Sequence, residues 1–247
     1  MTITIDGKSI DCQKDEYLLD VAERAGIHIP SLCRHEGLEG SNCCRVCIVE
    51  IETEAKKTVV AACAYPITGE CTVYTDSDRI KRHRNVVLAM LRARVPKSQE
   101  ISQLCEEYGV PEYSRLTTRD KKGKCILCTL CVKACESLGT SAISAVNRGT
   151  GKKISTPYDE PALVCVGCGS CAAVCPTGAI DMTEDALTRT IWNKTFDLEK
   201  CKRCGAVMGT AFENYRAASR MGTEPADICA DCKRKALTDV MSETFGR

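Results

Sequence analysis

The chain has 247 residues, of which 20 are cysteine, with 44% hydrophobic but only 4% aromatic content. Cysteine at about one residue in twelve sits at the edge of the range that marks a special scaffold, and it excludes an ordinary soluble enzyme. Lys plus Arg (34) nearly balance Asp plus Glu (33), which excludes the strongly basic balance of a nucleic-acid binder.

In chain order, Asp6-Gly7 lies between Ile3, Ile5 and Ile10, Cys12 and predicts a hairpin, because that dipeptide accepts positive φ. A helix is expected from near Asp15 to Gly26, with Leu18, Val21, Ala22 and Ala25 on one stripe. Strands are expected in VCIVEIE, KKTVVAACAY and CTVYT, an order that suits a β-grasp domain over residues 1–78. The helix over 78–95 is the clearest of all, with Ile80, Arg84, Val87, Leu88, Leu91 and Val95 at helical spacing and Pro96 ending it. Its other face carries Arg79, Lys81, Arg82, Arg92 and Arg94, either as a solvated surface or as a docking face for an acidic partner subunit. Residues 79–120 are taken as this helix plus a polar connector packed against its neighbours.

Residues 121–182 hold an internal repeat. CILCTLCVKAC (Cys125, Cys128, Cys131, Cys135) and CVGCGSCAAVCP (Cys165, Cys168, Cys171, Cys175) share gaps of two, two and three residues. A reducing compartment disfavours disulfides among such cysteines, and thiolates crowded on one loop repel unless a cation holds them. This spacing folds three sulfurs around one iron-sulfur cube and points the fourth at the other. One 4Fe-4S cluster would take Cys125, Cys128, Cys131 and Cys175, and the second Cys165, Cys168, Cys171 and Cys135. Gly167, Gly169 and Gly178 fit close approach of the backbone to a cube. The insert VNRGTGKKISTPYDEP reads as a surface excursion.

Cys33, Cys44, Cys47 and Cys63 form a further set, three from one loop and one from a neighbouring strand, suited to a flat 2Fe-2S cluster. The segment SNCCRVC offers Cys43 or Cys44; Cys44 is chosen because it keeps the two-residue gap to Cys47. Cys43, Cys12, Cys71 and Cys105 are expected to be neutral buried thiols. Residues 183–247 add CKRCG and CADCKRK, with a helix expected in MGTAFENYRAASRMG. Cys201, Cys204, Cys229 and Cys232 fit a zinc ion held by four thiolates among basic residues, with a third 4Fe-4S cluster as the alternative. His28, His35 and His83 show no ligand spacing. Neither GxGxxG nor GxxxxGK follows a strand, so no nucleotide site is visible.

The order of CRHEGLEGSNCCRVCIVE, VVAACAYP, DSDRIKRHRNVVLAMLRA and the two cysteine runs resembles a known relay module. That module is shared by the large iron-sulfur subunit of respiratory complex I, the small diaphorase subunit of bidirectional nickel-iron hydrogenases, and the N-terminal half of electron-bifurcating FeFe hydrogenases. The resemblance covers residues 1 to about 182. It implies electron transfer between a flavoprotein that handles NAD(P)H and a second redox site, with a flavin-containing subunit, a small 2Fe-2S subunit and a further catalytic subunit as partners. The His-plus-three-Cys cluster common in that group is missing, since ARVPKSQEISQLCEEYGV offers only Cys105. The expected fold is α+β: an N-terminal β-grasp 2Fe-2S ferredoxin domain, a helical connector, a bacterial-type two-cluster 4Fe-4S ferredoxin domain and a small C-terminal four-Cys metal module. Apolar runs such as Val86 to Leu91 are short, and the first residues lack the pattern of a secretory signal, so the expected location is cytoplasmic. The rival reading is a zinc-built binding module without a redox role.

Overall fold

The structure, a computed structural model, describes residues 1–116 and 123–245. Strands β1 (Thr2–Ile5) and β2 (Lys8–Asp11) form the expected hairpin, with Asp6 at φ 46° and Gly7 at φ 82°. Helix α1 (Leu18–Arg24) begins later than its sequence pattern implied. Asp15 is left-handed (φ 66°), and the N–H groups of Asp15 and Leu18 donate across the chain to the carbonyls of Ile67 (2.8 Å) and Tyr65 (3.0 Å). Those residues are therefore spent on a cross-chain bridge before the helix can start. Its end is as expected, with Gly26 left-handed to close the last turn.

Strands β3 (Ile48–Glu52), β4 (Lys57–Ala61) and β5 (Thr72–Tyr74) complete a five-stranded sheet in the order β2-β1-β5-β3-β4. Its β1 and β5 are parallel, and the other neighbours are antiparallel. Leu18, Leu19, Val21 and Ala22 of α1 are buried with Ile3, Ile5, Val49, Ile51 and Val73 of the sheet. Each aliphatic chain buried there contributes about 2 kcal/mol. This is the β-grasp arrangement.

Helix α2 (Asp78–Arg94) starts at Ser77, whose hydroxyl accepts from the Ile80 N–H. Arg84 of its inner face is buried, and among the described residues no carboxylate pairs with it. It donates to the carbonyls of Val46 (3.3 Å), Ile48 (2.9 Å) and Thr75 (3.0 Å), and its guanidinium lies 5.4 Å from the Tyr108 ring centre. Much of the basic face is also engaged. Arg79 pairs with Glu50, Lys81 with Asp76, and Arg92 and Arg94 donate to the carbonyls of Pro111 and Cys125. The connector contains a helix that the sequence reading lacked, α3 (Gln99–Glu107), capped by Ser98. Ile101 and Cys105 of α3 join Leu88 and Ala89 of α2 in a core that also holds Cys33, Cys44, Val46, Cys128 and Leu130. One hydrophobic cluster thus joins the N-terminal domain, the helix pair and the first cysteine run.

The repeat region supplies α4 (Leu130–Ser137), a hairpin of β6 (Ser144–Val146) and β7 (Lys153–Ser155) within the expected excursion, and the short α5 (Ser170–Ala173). Beyond it lies a second unforeseen feature. Strands β8 (Met182–Glu184), β9 (Thr188–Ile191), β10 (Lys194–Lys200) and β11 (Val207–Thr210) form an antiparallel sheet in the order β11-β10-β9-β8. Helix α6 (Ala211–Met221), close to its expected place, starts with a capping box of Thr210 and Glu213, and α7 (Ala230–Phe245) ends the described chain. The β9–β10 turn is Trp192-Asn193, both left-handed at φ 53° and 58°. Asn tolerates this, whereas a bulky side chain there costs on the order of 1–3 kcal/mol. Among the described residues no helix is long and apolar enough to cross a membrane.

Candidate iron-sulfur and metal centres

The cysteines of the repeat fall into two groups that interleave the runs. Cys125, Cys128, Cys131 and Cys175 line one cavity, together with Ile126, Ile180 and Trp192. Cys135, Cys165, Cys168 and Cys171 line another, together with Ile143, Ile191 and, again, Trp192. The last cysteine of each run therefore faces the other run's cavity.

Local backbone explains the placement. Leu127 and Thr129 in the first run are left-handed (φ 58° and 62°), matching Gly167 (71°) and Gly169 (76°) in the second. The Leu127 turn, and the left-handed Ser141 (φ 46°) and Gly178 (φ 55°) before Ala142 and Ala179, aim N–H groups at sulfur. Leu127 donates to Cys125 Sγ (3.4 Å), Ala142 to Cys135 Sγ (3.2 Å) and Ala179 to Cys175 Sγ (3.2 Å). Burial pushes Cys128 and Cys171 up to about 11 and Cys131 up to about 12. Such thiols stay protonated near neutrality unless a cation takes the proton's place, which is what iron supplies. Four converging sulfurs, an apolar cavity and preset N–H donors to sulfur fit a 4Fe-4S group at each site.

In the N-terminal domain, Cys33, Cys44 and Cys47 come from the loop between α1 and β3, and Cys63 from a single helical turn after β4. Cys47 Sγ and Cys63 Sγ stand 3.2 Å apart. The thiols of Cys43, Cys44 and Cys63 point at Cys33 and hold it far below the usual thiol range, while Cys63 hydrogen-bonding brings Cys47 to about 7. Sulfurs sharing protons this way form a site that a cation would occupy. Cys44 is buried, but Cys43, expected to be buried as well, is exposed because it sits on the outer side of the loop, although both neighbour Cys33. Cys43 Sγ also lies 3.9 Å from the Leu127 carbonyl. Ser41 bonds to Thr129 (2.9 Å) and Lys133 to the Gly40 carbonyl (3.1 Å). These contacts set the N-terminal cysteines beside the first repeat cavity. Cys12, Cys71 and Cys105 are buried outside these sites, and burial pushes their thiols up, as expected for neutral groups.

The C-terminal four differ in geometry. The sulfurs of Cys201, Cys204, Cys229 and Cys232 all lie within 4.8 Å of one another, with Cys204 and Cys229 3.7 Å apart. A tetrahedron on metal–sulfur bonds of ≈ 2.3 Å has edges of about 3.8 Å. Among the described residues this is the one metal-ligand cluster so tightly gathered. The N–H of Cys229 donates to Cys201 Sγ (3.3 Å) and is the main cause that lowers Cys201 to about 6, whereas burial first pushes Cys232 up to about 12. A single-ion site fits here.

The sheet that sequence reasoning missed clamps the second cavity. Phe196, 2% exposed, packs on Gly167, where a Cβ would lie 2.6 Å from its ring. Arg189 donates to the Gly167 carbonyl (2.9 Å), Thr210 to that of Val166, and Lys194 to those of Ala162, Leu163 and Cys165. From α6, Arg216 and Arg220 donate to the carbonyls of Gly139 and Leu138 at the end of α4, where cations suit the helix dipole.

Comparison with known proteins agrees with this geometry. Residues 1–78 match the 2Fe-2S iron-sulfur cluster binding domain, and residues 120–182 and 164–209 match two 4Fe-4S dicluster domain families. The chain is thus an iron-sulfur protein with a 2Fe-2S domain followed by a 4Fe-4S dicluster region. It is 34% identical over 73% of its length to the NADP-reducing hydrogenase subunit HndD of Solidesulfovibrio fructosivorans, covering 36% of that protein. Identity is also 34% over 73% of the chain to the NADPH-Fe(3+) oxidoreductase subunit alpha of Geobacter sulfurreducens, covering 24% of it. The NADH-ubiquinone oxidoreductase 75 kDa subunit of Reclinomonas americana is 29% identical over 78% of the chain and is covered to 31%. The chain therefore spans about a third or less of these relatives' lengths. A crystal structure of an NAD+-reducing [NiFe]-hydrogenase in the H2-reduced state superposes with TM-score 0.55 and 26% identity, covering 63% of this chain and 74% of that one. The resemblance to iron-sulfur subunits of NAD(P)-linked hydrogenases and oxidoreductases, and to complex I, thus holds.

Proposed function

We propose that this chain is the electron-transfer iron-sulfur subunit of a multi-subunit NAD(P)-linked oxidoreductase, relaying electrons between a flavoprotein subunit and a second redox site. The observation that carries the reading is the interleaving of the cysteine runs around two adjoining cavities, with the N-terminal cysteines beside the first. In this reading Cys33, Cys44, Cys47 and Cys63 hold a 2Fe-2S cluster. Cys125, Cys128, Cys131 and Cys175 hold one 4Fe-4S cluster, and Cys165, Cys168, Cys171 and Cys135 the other. When bound, such clusters supply one-electron chemistry at potentials set by their surroundings.

The chain's own part is to position the sulfurs, keep water away and present N–H groups to them. Arg84 ties α2 to the chain just before β3, and Lys133 and Thr129 tie the repeat to the N-terminal loop, so neighbouring sites keep a fixed separation. The partners in this reading are a flavin-containing NAD(P)H-oxidising subunit, a small 2Fe-2S subunit and a further catalytic subunit.

Cys201, Cys204, Cys229 and Cys232 are assigned to one zinc ion, because their sulfurs stand at single-ion separations and leave no room for a cube between them. Its role is to fix α7 to β10 and so hold the C-terminal sheet against the second cavity.

The test is to purify the complex anaerobically, identify its chains by mass and follow visible bleaching on NAD(P)H addition. The complex should bleach and this chain alone should not. A chain that bleaches unaided, or one whose companions include no flavoprotein, would contradict the proposal.

A further inference from the structure

We propose that Trp192 raises the reduction potential of the second 4Fe-4S cluster above that of the first. This rests on the cluster assignment above and goes beyond it by ranking the two sites.

The repeat makes the two sites nearly equivalent in their donors. The left-handed pairs Leu127/Thr129 and Gly167/Gly169 correspond. The N–H groups of Ala179 and Ala142 stand at the same 3.2 Å from Cys175 Sγ and Cys135 Sγ. A threonine hydroxyl lies by each of those sulfurs, Thr177 at 3.7 Å and Thr140 at 3.0 Å. A cation bonds the first carbonyl of each run, Arg94 at Cys125 (3.2 Å) and Lys194 at Cys165 (2.9 Å). Donors that match across the repeat separate the potentials little.

Trp192 has no counterpart in the first run. Its indole Nε1–H donates to Cys171 Sγ at 3.4 Å, the one side-chain N–H aimed at a ligand sulfur among the described residues. A hydrogen bond to a ligand sulfur stabilises the more negative, reduced cluster and so raises its potential. The indole is also wall to both cavities, which places this donor where the two sites meet. It is delivered at a conformational cost, since Trp192 occupies a left-handed turn position that Gly or Asn fills more easily. Arg189 and Lys194, bonded to the Gly167 and Cys165 carbonyls, pin that turn to the cluster loop.

The consequence is directional. A single electron given to the pair settles on the second cluster: the first loses one electron as the second gains one, and no bond forms or breaks. An electron that has reached the first cluster then passes downhill to the second.

The test is an EPR-monitored redox titration of the full holo chain under anaerobic conditions, with Cys168→Ser used to assign the second cluster's signal. In Trp192→Phe, the reduced-to-oxidised ratio of that cluster at fixed poise should fall about tenfold, a shift of about 59 mV for one electron, with the first cluster unmoved. Trp192 is the only tryptophan, so biosynthetic replacement by benzothienylalanine, which keeps the shape but lacks the N–H, gives a second arm should Phe lose iron. That replacement should produce the same selective shift. Equal potentials in the unaltered protein, no shift in either variant, or equal shifts of both clusters would overturn the proposal. Failure of the underlying assignment looks different, because a chain without iron and labile sulfide yields no cluster signals to titrate.

Discussion

Replacing Gly167 by alanine tests the clamp between the C-terminal sheet and the second cysteine run. Two costs add. Gly167 is left-handed at φ 71°, and a Cβ in that region costs about 1–2 kcal/mol. The new methyl would also sit 2.6, 2.7 and 2.9 Å from three carbons of the Phe196 ring, which is held at 2% exposure and cannot swing away; forcing a methyl into such packing costs about 1–3 kcal/mol. The sum, about 2–5 kcal/mol, weakens the docked state by about thirtyfold to several thousandfold. The lone Trp192 reports this directly, since its emission changes as the sheet leaves the cluster loop during a urea titration of the holo chain. Gly167→Ala should lower the midpoint of that transition. Phe196→Leu in the same background should recover the steric part and leave the conformational part, so the double-mutant cycle should show coupling of about 1–3 kcal/mol. An unchanged midpoint, or strictly additive effects, would refute the clamp.

Other expectations are as direct. Cys175→Ser should erase the same EPR signal as Cys128→Ser and spare the one lost in Cys168→Ser, since the fourth sulfur of the second run serves the first cavity. Arg84→Met strands three buried carbonyls at about 1 kcal/mol each, and thermal unfolding should show a loss of about 3 kcal/mol; Arg84→Lys, lacking the planar fork, should recover only part of it. Cys204→Ser should abolish bound zinc while iron and sulfide stay constant, as measured by elemental analysis. Glu50 is held below the usual carboxylate range chiefly by the Ser77 hydroxyl, with Arg79 adding to it and burial opposing. Its contribution is therefore full above the unfolded carboxylate pKa and is lost as pH falls through the lower folded value. Glu50→Gln should flatten the acid limb of the stability profile measured by urea titration.

The cysteine sites were legible in the sequence because their chemistry is local. Gaps of two and three residues fix which sulfurs can converge, and the Asp6-Gly7 hairpin and α2 carry similarly local signals. Helix α3 was overlooked although Ser98 is a capping residue and Ile101, Leu104 and Cys105 recur at helical spacing; nine residues inside a polar stretch gave that pattern little weight. The start of α1 could not be read at all, since it is set by bonds to Tyr65 and Ile67, some fifty residues away. The sheet β8–β11 was hidden for a different reason. Its tightest turn is Trp192-Asn193, and tryptophan at a left-handed position contradicts the turn chemistry by which hairpins are recognised. Its strands also bury little of their own surface: Ile191 and Phe196 are buried against the cysteine loop rather than in an alternating face. A local rule broken in this way pointed to the residue with the most to do at the second cluster.

The most direct measurement is the iron, labile sulfide and zinc content of the anaerobically purified chain, read together with EPR of the reduced protein. About ten irons, about ten sulfides and one zinc per chain are expected, with one 2Fe-2S and two 4Fe-4S signals. A colourless protein with several zinc ions, or one with about fourteen irons and no zinc, would contradict this.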